Sequence, residues 1–237
     1  MIRLVLVHGS ATDHTTWSIQ LASLKHYDLV ATDRNFGRDS VAEHAQDLAP
    51  LCVPPTVVVG SSFGAVIALE LARTRPELVA AMVLIEPPMP PADDPVAAAG
   101  GRAFFAEFEH RVATAGGPAA GEFFLRTVLG DVAYERIPLA YRERSKARWA
   151  EIRSDSAALV AYQPRYAELA TCHVPALLLA GDRSAAYFRP TLDALVRALP
   201  DARLEIVANA GHMLHAEAPR RFAELLDAFI GARVRAP

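Results

Sequence analysis

Cysteine is scarce in this chain: Cys52 and Cys172 are the only two in 237 residues. That is too few for a disulfide framework, and both read as small buried residues of a reducing compartment. No apolar run reaches the ~18 residues that a membrane span needs, and no charged segment precedes an apolar one at the N-terminus as a secretion signal would. An excess of basic residues is missing as well. The formal net charge of −3 and the pI near 6.2 give no support to binding of nucleic acid or an anionic membrane. There is no glycine-rich phosphate loop and no His/Cys/Asp/Glu cluster at ligand spacing, so no cofactor and no metal is expected. These absences leave a soluble cytoplasmic protein with no nucleic-acid or membrane partner.

Apolar residues are plentiful, at 52%, and a chain of this length can bury one sizeable core. Their arrangement alternates between two kinds of segment. Ile2 to Val7 reads as a strand, closed by His8-Gly9-Ser10-Ala11. A helix near Trp17 to Leu24 and a short strand from Tyr27 to Ala31 follow. The loop Thr32 to Ser40 ends in an N-cap serine for a helix from Val41 to Leu51, which Pro54-Pro55 stops. A β-branched strand begins at Thr56, a helix follows it, and Val79 to Ile85 reads as a fourth strand ended by Glu86-Pro87-Pro88. Continuous apolar strands alternating with helices predict a parallel sheet covered on both faces.

The rhythm breaks at Pro87. Pro87 to Pro95 is proline-rich, and from Gly100 to about Tyr166 no strand pattern occurs. Phe104, Phe105, Phe108 and Val112 share one helical face, and Phe123, Phe124, Val128 and the pair Trp149/Ile152 mark further helices. The charges from Arg142 to Arg148 read as a solvated helix face. Strands then return at Ala176–Ala180 and Arg203–Val207, with helices at Thr191–Leu199 and from about Pro219 to Ile230. Residues 88–166 are therefore expected to form an all-helical lid inserted into a core of 1–87 and 167–237. It should lie over the carboxyl edge of the sheet, where open α/β sheets bind their ligands.

One pentapeptide stands out. Gly60-Ser61-Ser62-Phe63-Gly64, between the third strand and its helix, fits G-x-S-x-G. In that motif the turn is so tight that its flanks need glycine, and the central serine is held strained and exposed at a helix N-terminus. Its bland alternative is a small-residue turn, and context decides between the two.

The chain resembles the α/β-hydrolase superfamily with a helical lid. The motifs that carry the resemblance are His8-Gly9-Ser10, the loop Asp33 to Ser40, the pentapeptide Gly60 to Gly64, and Asn209-Ala210-Gly211-His212 before the last helix. In the Asp33–Ser40 loop, Arg38 stands where the family's D-x-x-G-x-G-x-S pattern often has a second glycine. The usual N-terminal antiparallel pair is missing, so a sheet of about six parallel strands is expected, with helices on both faces. The resemblance implies Ser62 as nucleophile, His212 as its base, and backbone N–H groups of Ser10 and Phe63 as the oxyanion hole. His8, His14, His26, His44, His110 and His173 read as solvated or satisfied residues, and His215 has no partner at metal-ligand spacing.

Two carboxylates compete for the third position. The superfamily usually places its acid three residues past the glycine ending the penultimate strand, and there this chain has Ser184 after Gly181, with Asp182 adjacent to the glycine. Glu86 instead ends the strand after the elbow helix, where haloalkane dehalogenases and some lactonases carry the acid, and it is preferred to Asp182. A serine nucleophile argues against the dehalogenase and epoxide-hydrolase reactions, which need Asp at this position. The expected activity is cleavage of a small apolar or cyclic ester. A thioesterase or carbon–carbon hydrolase with the same triad, and a non-hydrolytic ligand-binding relative, remain as alternatives.

Overall fold

The structure is a computed structural model, and it describes residues 1–89, 95–162 and 166–234. Most of the proline-rich stretch expected to lead into the insertion, residues 90–94, lies outside the described residues.

Six strands form one sheet: β1 (Arg3–Val7), β2 (Asp28–Thr32), β3 (Thr56–Ser61), β4 (Ala81–Ile85), β5 (Ala176–Gly181) and β6 (Ala202–Val207). Their order across the sheet is β2-β1-β3-β4-β5-β6, and every pairing is parallel. Alternate side chains of the central strands feed two separate cores, which is why these strands read as unbroken apolar runs. On one face Val5, Val7, Val58, Met82, Leu84 and Leu178 pack with α2 (Val41–Leu48), α3 (Phe63–Thr74) and α9 (Phe188–Ala198). On the other, Leu4, Leu6, Val57, Val59, Val83 and Leu179 meet α1 (Ser18–Ser23) and α11 (Pro219–Arg233), whose Phe222 and Phe229 are fully buried. Each such buried aliphatic or Phe side chain contributes about 1.5–3 kcal/mol of transfer free energy, so the central strands anchor everything at their ends.

Between β4 and β5 the described residues form five α-helices: α4 (Pro95–Ala115), α5 (Gly117–Leu129), α6 (Asp131–Arg136), α7 (Leu139–Ala147) and α8 (Trp149–Ala161). These helices have an apolar cluster of their own around Phe108, Ala120, Leu125, Tyr134 and Ile152, and it takes in Ala11 from the loop after β1. Within the insertion Phe104 stacks on Phe123 at 5.2 Å and meets Phe124 edge-on at 6.1 Å. The remaining α-helix is the short α10 (Leu214–Glu217). Among the described residues no helix is long and apolar enough to cross a membrane.

Element boundaries depart from the sequence reading, and four of the departures have a clear local cause. Trp17 falls in a 3-10 turn, His14–Trp17, capped by the Asp13 side chain, so α1 begins only at Ser18. Pro50 has no N–H to continue the α ladder, and the end of the second helix tightens into a 3-10 turn, Ala49–Leu51. Pro76–Leu78 likewise forms a 3-10 turn that delays β4 to Ala81. Pro190 falls within the first turn of α9, where a missing N–H costs nothing, so that helix starts at Phe188 and not after the proline.

Candidate active site

The turn from β3 into α3 is closed by backbone contacts that leave no room for side chains at its flanks. A Cβ on Gly60 would stand 2.3 Å from the Gly64 carbonyl oxygen, and one on Gly64 would stand 2.3 Å from the Val7 carbonyl oxygen. Ser62 is the helix N-cap at φ 53°, ψ −121°, a left-handed conformation that a residue with a side chain adopts at a cost. Backbone bonds hold it there: its N–H donates to the Ile85 carbonyl at 2.8 Å, and its own carbonyl accepts from Ala65 N–H at 2.9 Å and Val66 N–H at 3.3 Å. Its hydroxyl makes no hydrogen bond among the described residues and is 9% exposed as a residue. The N–H of Phe63, first in the helix, has no acceptor among the described residues, as expected in a first turn that no side chain caps.

Glu86 follows β4 directly, at φ 43° and with no exposed surface. Its Oε1 accepts from Gly181 N–H at 2.9 Å, and its Oε2 lies 2.6 Å from Nδ1 of His212. His212 is 6% exposed, and its ring lies flat on Phe188, with centroids 4.6 Å apart and planes at 7°. The turn that carries it is pinned from several sides. Arg183 N–H donates to the Ala210 carbonyl at 2.9 Å, Arg183 Nη2 to Asn209 Oδ1 at 2.7 Å, and Gly211 N–H to Glu217 Oε2 at 2.9 Å. A buried carboxylate this close to an imidazole fixes a proton on Nδ1 and leaves Nε2 free to accept one.

Ser10 follows β1 on the neighbouring strand end. Gly9 lies against the elbow, since a Cβ there would stand 3.0 Å from the Ser62 Cβ. The Ser10 N–H has no acceptor among the described residues. Of the five expected site residues, the structure joins Glu86 to His212, and it puts Ser62 one hydrogen bond from the residue preceding Glu86. The N–H groups of Ser10 and Phe63 are without an acceptor among the described residues, Phe63 following Ser62 in the chain and Ser10 following Gly9, which lies against Ser62. Asp182 does not join them. Its carboxylate is exposed and has no partner among the described residues, while its N–H is tied to the Val207 carbonyl at 3.1 Å.

The other histidines separate by surroundings. His14 and His26 are exposed and pair with Asp33 and Asp227. His8 is fully buried, and burial followed by the nearby Arg34 charge lowers its pKa to about 4. His215 is also fully buried, with its pKa lowered to about 3 by burial and then by His212; its Nε2 meets Thr16 Oγ1 at 3.1 Å. Among the described residues no three His, Cys, Asp or Glu side chains converge as a metal site. Three contacts escaped the sequence reading: Phe188 under His212, Glu217 on the Gly211 N–H, and a buried Arg34–Asp155 pair beside Ser10. None of the three carried a signal: the loop's departure from the family pattern is at Arg38, and Arg34 stands at a variable position of it.

A model of the alpha/beta hydrolase family matches residues 4–225. Solved structures share the fold at low identity. A thermophilic esterase from Thermogutta terrifontis is similar over 99% of this chain and 91% of its own, at 22% identity and TM-score 0.80. MenH from S. aureus aligns over 98% and 94%, at 16% identity and TM-score 0.79. Est816, described as an N-acyl homoserine lactone degrading enzyme, aligns over 97% and 93%, at 20% identity and TM-score 0.72.

Proposed function

The chain belongs to the α/β-hydrolase family, and from that premise we propose that it is a serine hydrolase cleaving a carboxylic ester or lactone through an acyl-enzyme on Ser62. The observation that carries this reading is the 2.6 Å contact between His212 Nδ1 and the fully buried Glu86 carboxylate, at the strand end next to the strained Ser62. A buried carboxylate aimed at a histidine is costly unless its charge is used, and an imidazole so oriented is a general base.

In this reading Ser62 Oγ attacks the substrate carbonyl while His212 Nε2 takes its proton, and Glu86 holds the resulting imidazolium. The Ser10 and Phe63 N–H groups receive the charge that develops on the carbonyl oxygen. His212 returns the proton to the departing alcohol, and water then attacks the acyl-enzyme by the same route in reverse. Residues 88–166 act as a lid: Arg148 bonds Asp13, and Ser154 bonds the Arg38 carbonyl, both on loops at the carboxyl ends of β1 and β2. The phenylalanines that the lid carries suit a small, apolar and uncharged substrate, with a lactone of modest ring size included. The likeness to an esterase and to a lactone-degrading enzyme agrees with that class.

Ser62→Ala tests it. The variant should fold as the parent does, lose labelling by a fluorophosphonate, and lose p-nitrophenyl ester and lactone turnover by about 10³-fold or more. Ser61→Ala should keep most activity. Parent-level hydrolysis by Ser62→Ala would end the serine mechanism.

A further inference from the structure

A charged pair unused by this mechanism is buried beside the oxyanion segment. Arg34, in the loop after β2, donates through Nη1 and Nη2 to Asp155 of α8 at 2.9 and 2.7 Å, and the two side chains are 3% and 2% exposed. A buried ion pair adds little net stability over an apolar pair of the same size, so its presence calls for another reason. The same Asp155 Oδ2 accepts from Ser10 Oγ at 2.6 Å. The same Arg34 Nη2 reaches the Gly9 carbonyl at 3.3 Å. That carbonyl also accepts from Thr12 Oγ1 at 3.2 Å and from His8 Nδ1 at 2.8 Å. His8 can donate there because its Nε2 accepts from Arg34 N–H at 3.2 Å, which places its proton on Nδ1.

Gly9 C=O and Ser10 N–H belong to one planar trans peptide and point in opposite directions. Fixing the carbonyl with three donors therefore fixes the N–H, and the Ser10 side chain is tied down separately by Asp155. The Arg34 guanidinium also lies over the Phe63 ring, 4.8 Å from its centroid, so one ion pair touches the residues that supply both N–H donors.

Resting on the hydrolase reading above, we infer that Asp155 is a positioning residue that sets the Gly9–Ser10 peptide through Arg34 and Ser10, so that the oxyanion hole is completed by a side chain from the helical insertion. The insertion would then do more than cover the site. Withdrawing α8 would loosen the peptide and disarm the serine in the same movement.

The experiment compares a p-nitrophenyl ester with its thionoester, whose sulfur is a larger and poorer acceptor for an oxyanion hole. Parent, Asp155→Asn and Ser10→Ala are measured per active site, counted by fluorophosphonate titration. In Asp155→Asn, kcat on the oxo ester should fall about 10- to 100-fold with KM within about threefold, and the oxo/thiono ratio should fall with it. Ser10→Ala, which removes one anchor and keeps the N–H, should lose about 3- to 10-fold in the same direction. A structural role alone would lower the thermal midpoint or the titrated fraction and leave the ratio per active site unchanged. An unchanged ratio, or a loss confined to KM, overturns the inference, and if Asp155→Asn does not fold, Ser10→Ala decides it alone. A parent that turns over neither ester and resists the phosphonate ends the hydrolase reading itself; an active parent with parent-like variants ends only this one.

Discussion

Glu86 and Asp182 both follow strands at the same edge of the sheet, yet one carboxylate is buried against a histidine and the other faces water. The positive φ of Glu86 turns the chain at the end of β4. Its carboxylate then bridges Gly181 N–H and His212, tying the ends of β4 and β5 to the turn after β6. Removing that charge while keeping the shape should strand the imidazolium of the transition state. Glu86→Gln is expected to cost about 10³–10⁴-fold in kcat with Ser62 in place, and Asp182→Asn to stay within about threefold. Steady-state ester kinetics on the two variants check this, and a dead Asp182→Asn beside an active Glu86→Gln would reverse the assignment. The serine and the histidine were legible because each sits in a short motif. The acid had no motif: Ser184 occupies the expected position, and Glu86 was preferred to Asp182 only on its place at the end of a strand, while its contact with a histidine 126 residues away along the chain depends on β4 and the last turn lying side by side. Asp155 carried no signal in the sequence, since its partners Arg34 and Ser10 lie more than 100 residues away along the chain.

Among elements, those whose signal is local were read closely, and those whose boundaries depend on proline chemistry were not. Ser40 caps α2 as its sequence suggests, accepting from Glu43 N–H while Glu43 Oε2 bonds Asp39 N–H in return. By contrast, Pro50 lacks the N–H that would continue the helix before it, and Pro190 sits in a first turn where that N–H is not needed, a distinction that hydrophobic spacing does not report. Glycine makes the same distinction between positions measurable. In the elbow, Gly64→Ala would drive a Cβ into the Val7 carbonyl, a backbone atom that cannot move aside without shifting β1. A loss of several kcal/mol or failure to fold is expected, on the order of the larger core overpacking penalties. In α4, Gly101 is exposed, and a Cβ added there would meet nothing within 4 Å. Gly101→Ala should stabilise by about 0.5–1 kcal/mol through helix propensity and leave ester turnover unchanged. Thermal melts of the two variants give opposite signs if the elbow's need is steric and the helix's is not.

Taken as a whole, the molecule is a central sheet whose carboxyl edge is held by buried polar groups, and that arrangement couples its stability to pH. His8 at the end of β1 and His215 in α10 are both fully buried, the first bonded to Gly9 and Arg34 and the second lying on Trp17 at 4.5 Å. Burial is the main cause that lowers their pKa values, to about 4 and about 3. Their folded pKa values lie below the ordinary 6.5, so between 6.5 and those values the unfolded chain takes up protons that the folded chain refuses. Stability therefore falls as pH drops from about 6.5, and the loss is complete only below about 4 for His8 and about 3 for His215. At about 1.4 kcal/mol per pH unit, each histidine costs about 2 kcal/mol at pH 5 relative to neutral pH. The ion-paired carboxylates Asp47, Glu109, Glu122 and Glu135, whose pKa values are lowered mainly by hydrogen bonds to arginines, contribute in the same direction but only below about pH 4.5. The window from about pH 6.5 to 5 thus belongs to the buried histidines. The thermal midpoint should drop there by on the order of 10 °C, and His215→Gln should start lower at pH 7 yet lose part of that slope. A melt series on the variant with the parent's slope intact would show that the buried ring at His215 does not carry the acid sensitivity, and would move the cause to His8 and to His44, whose pKa burial also lowers.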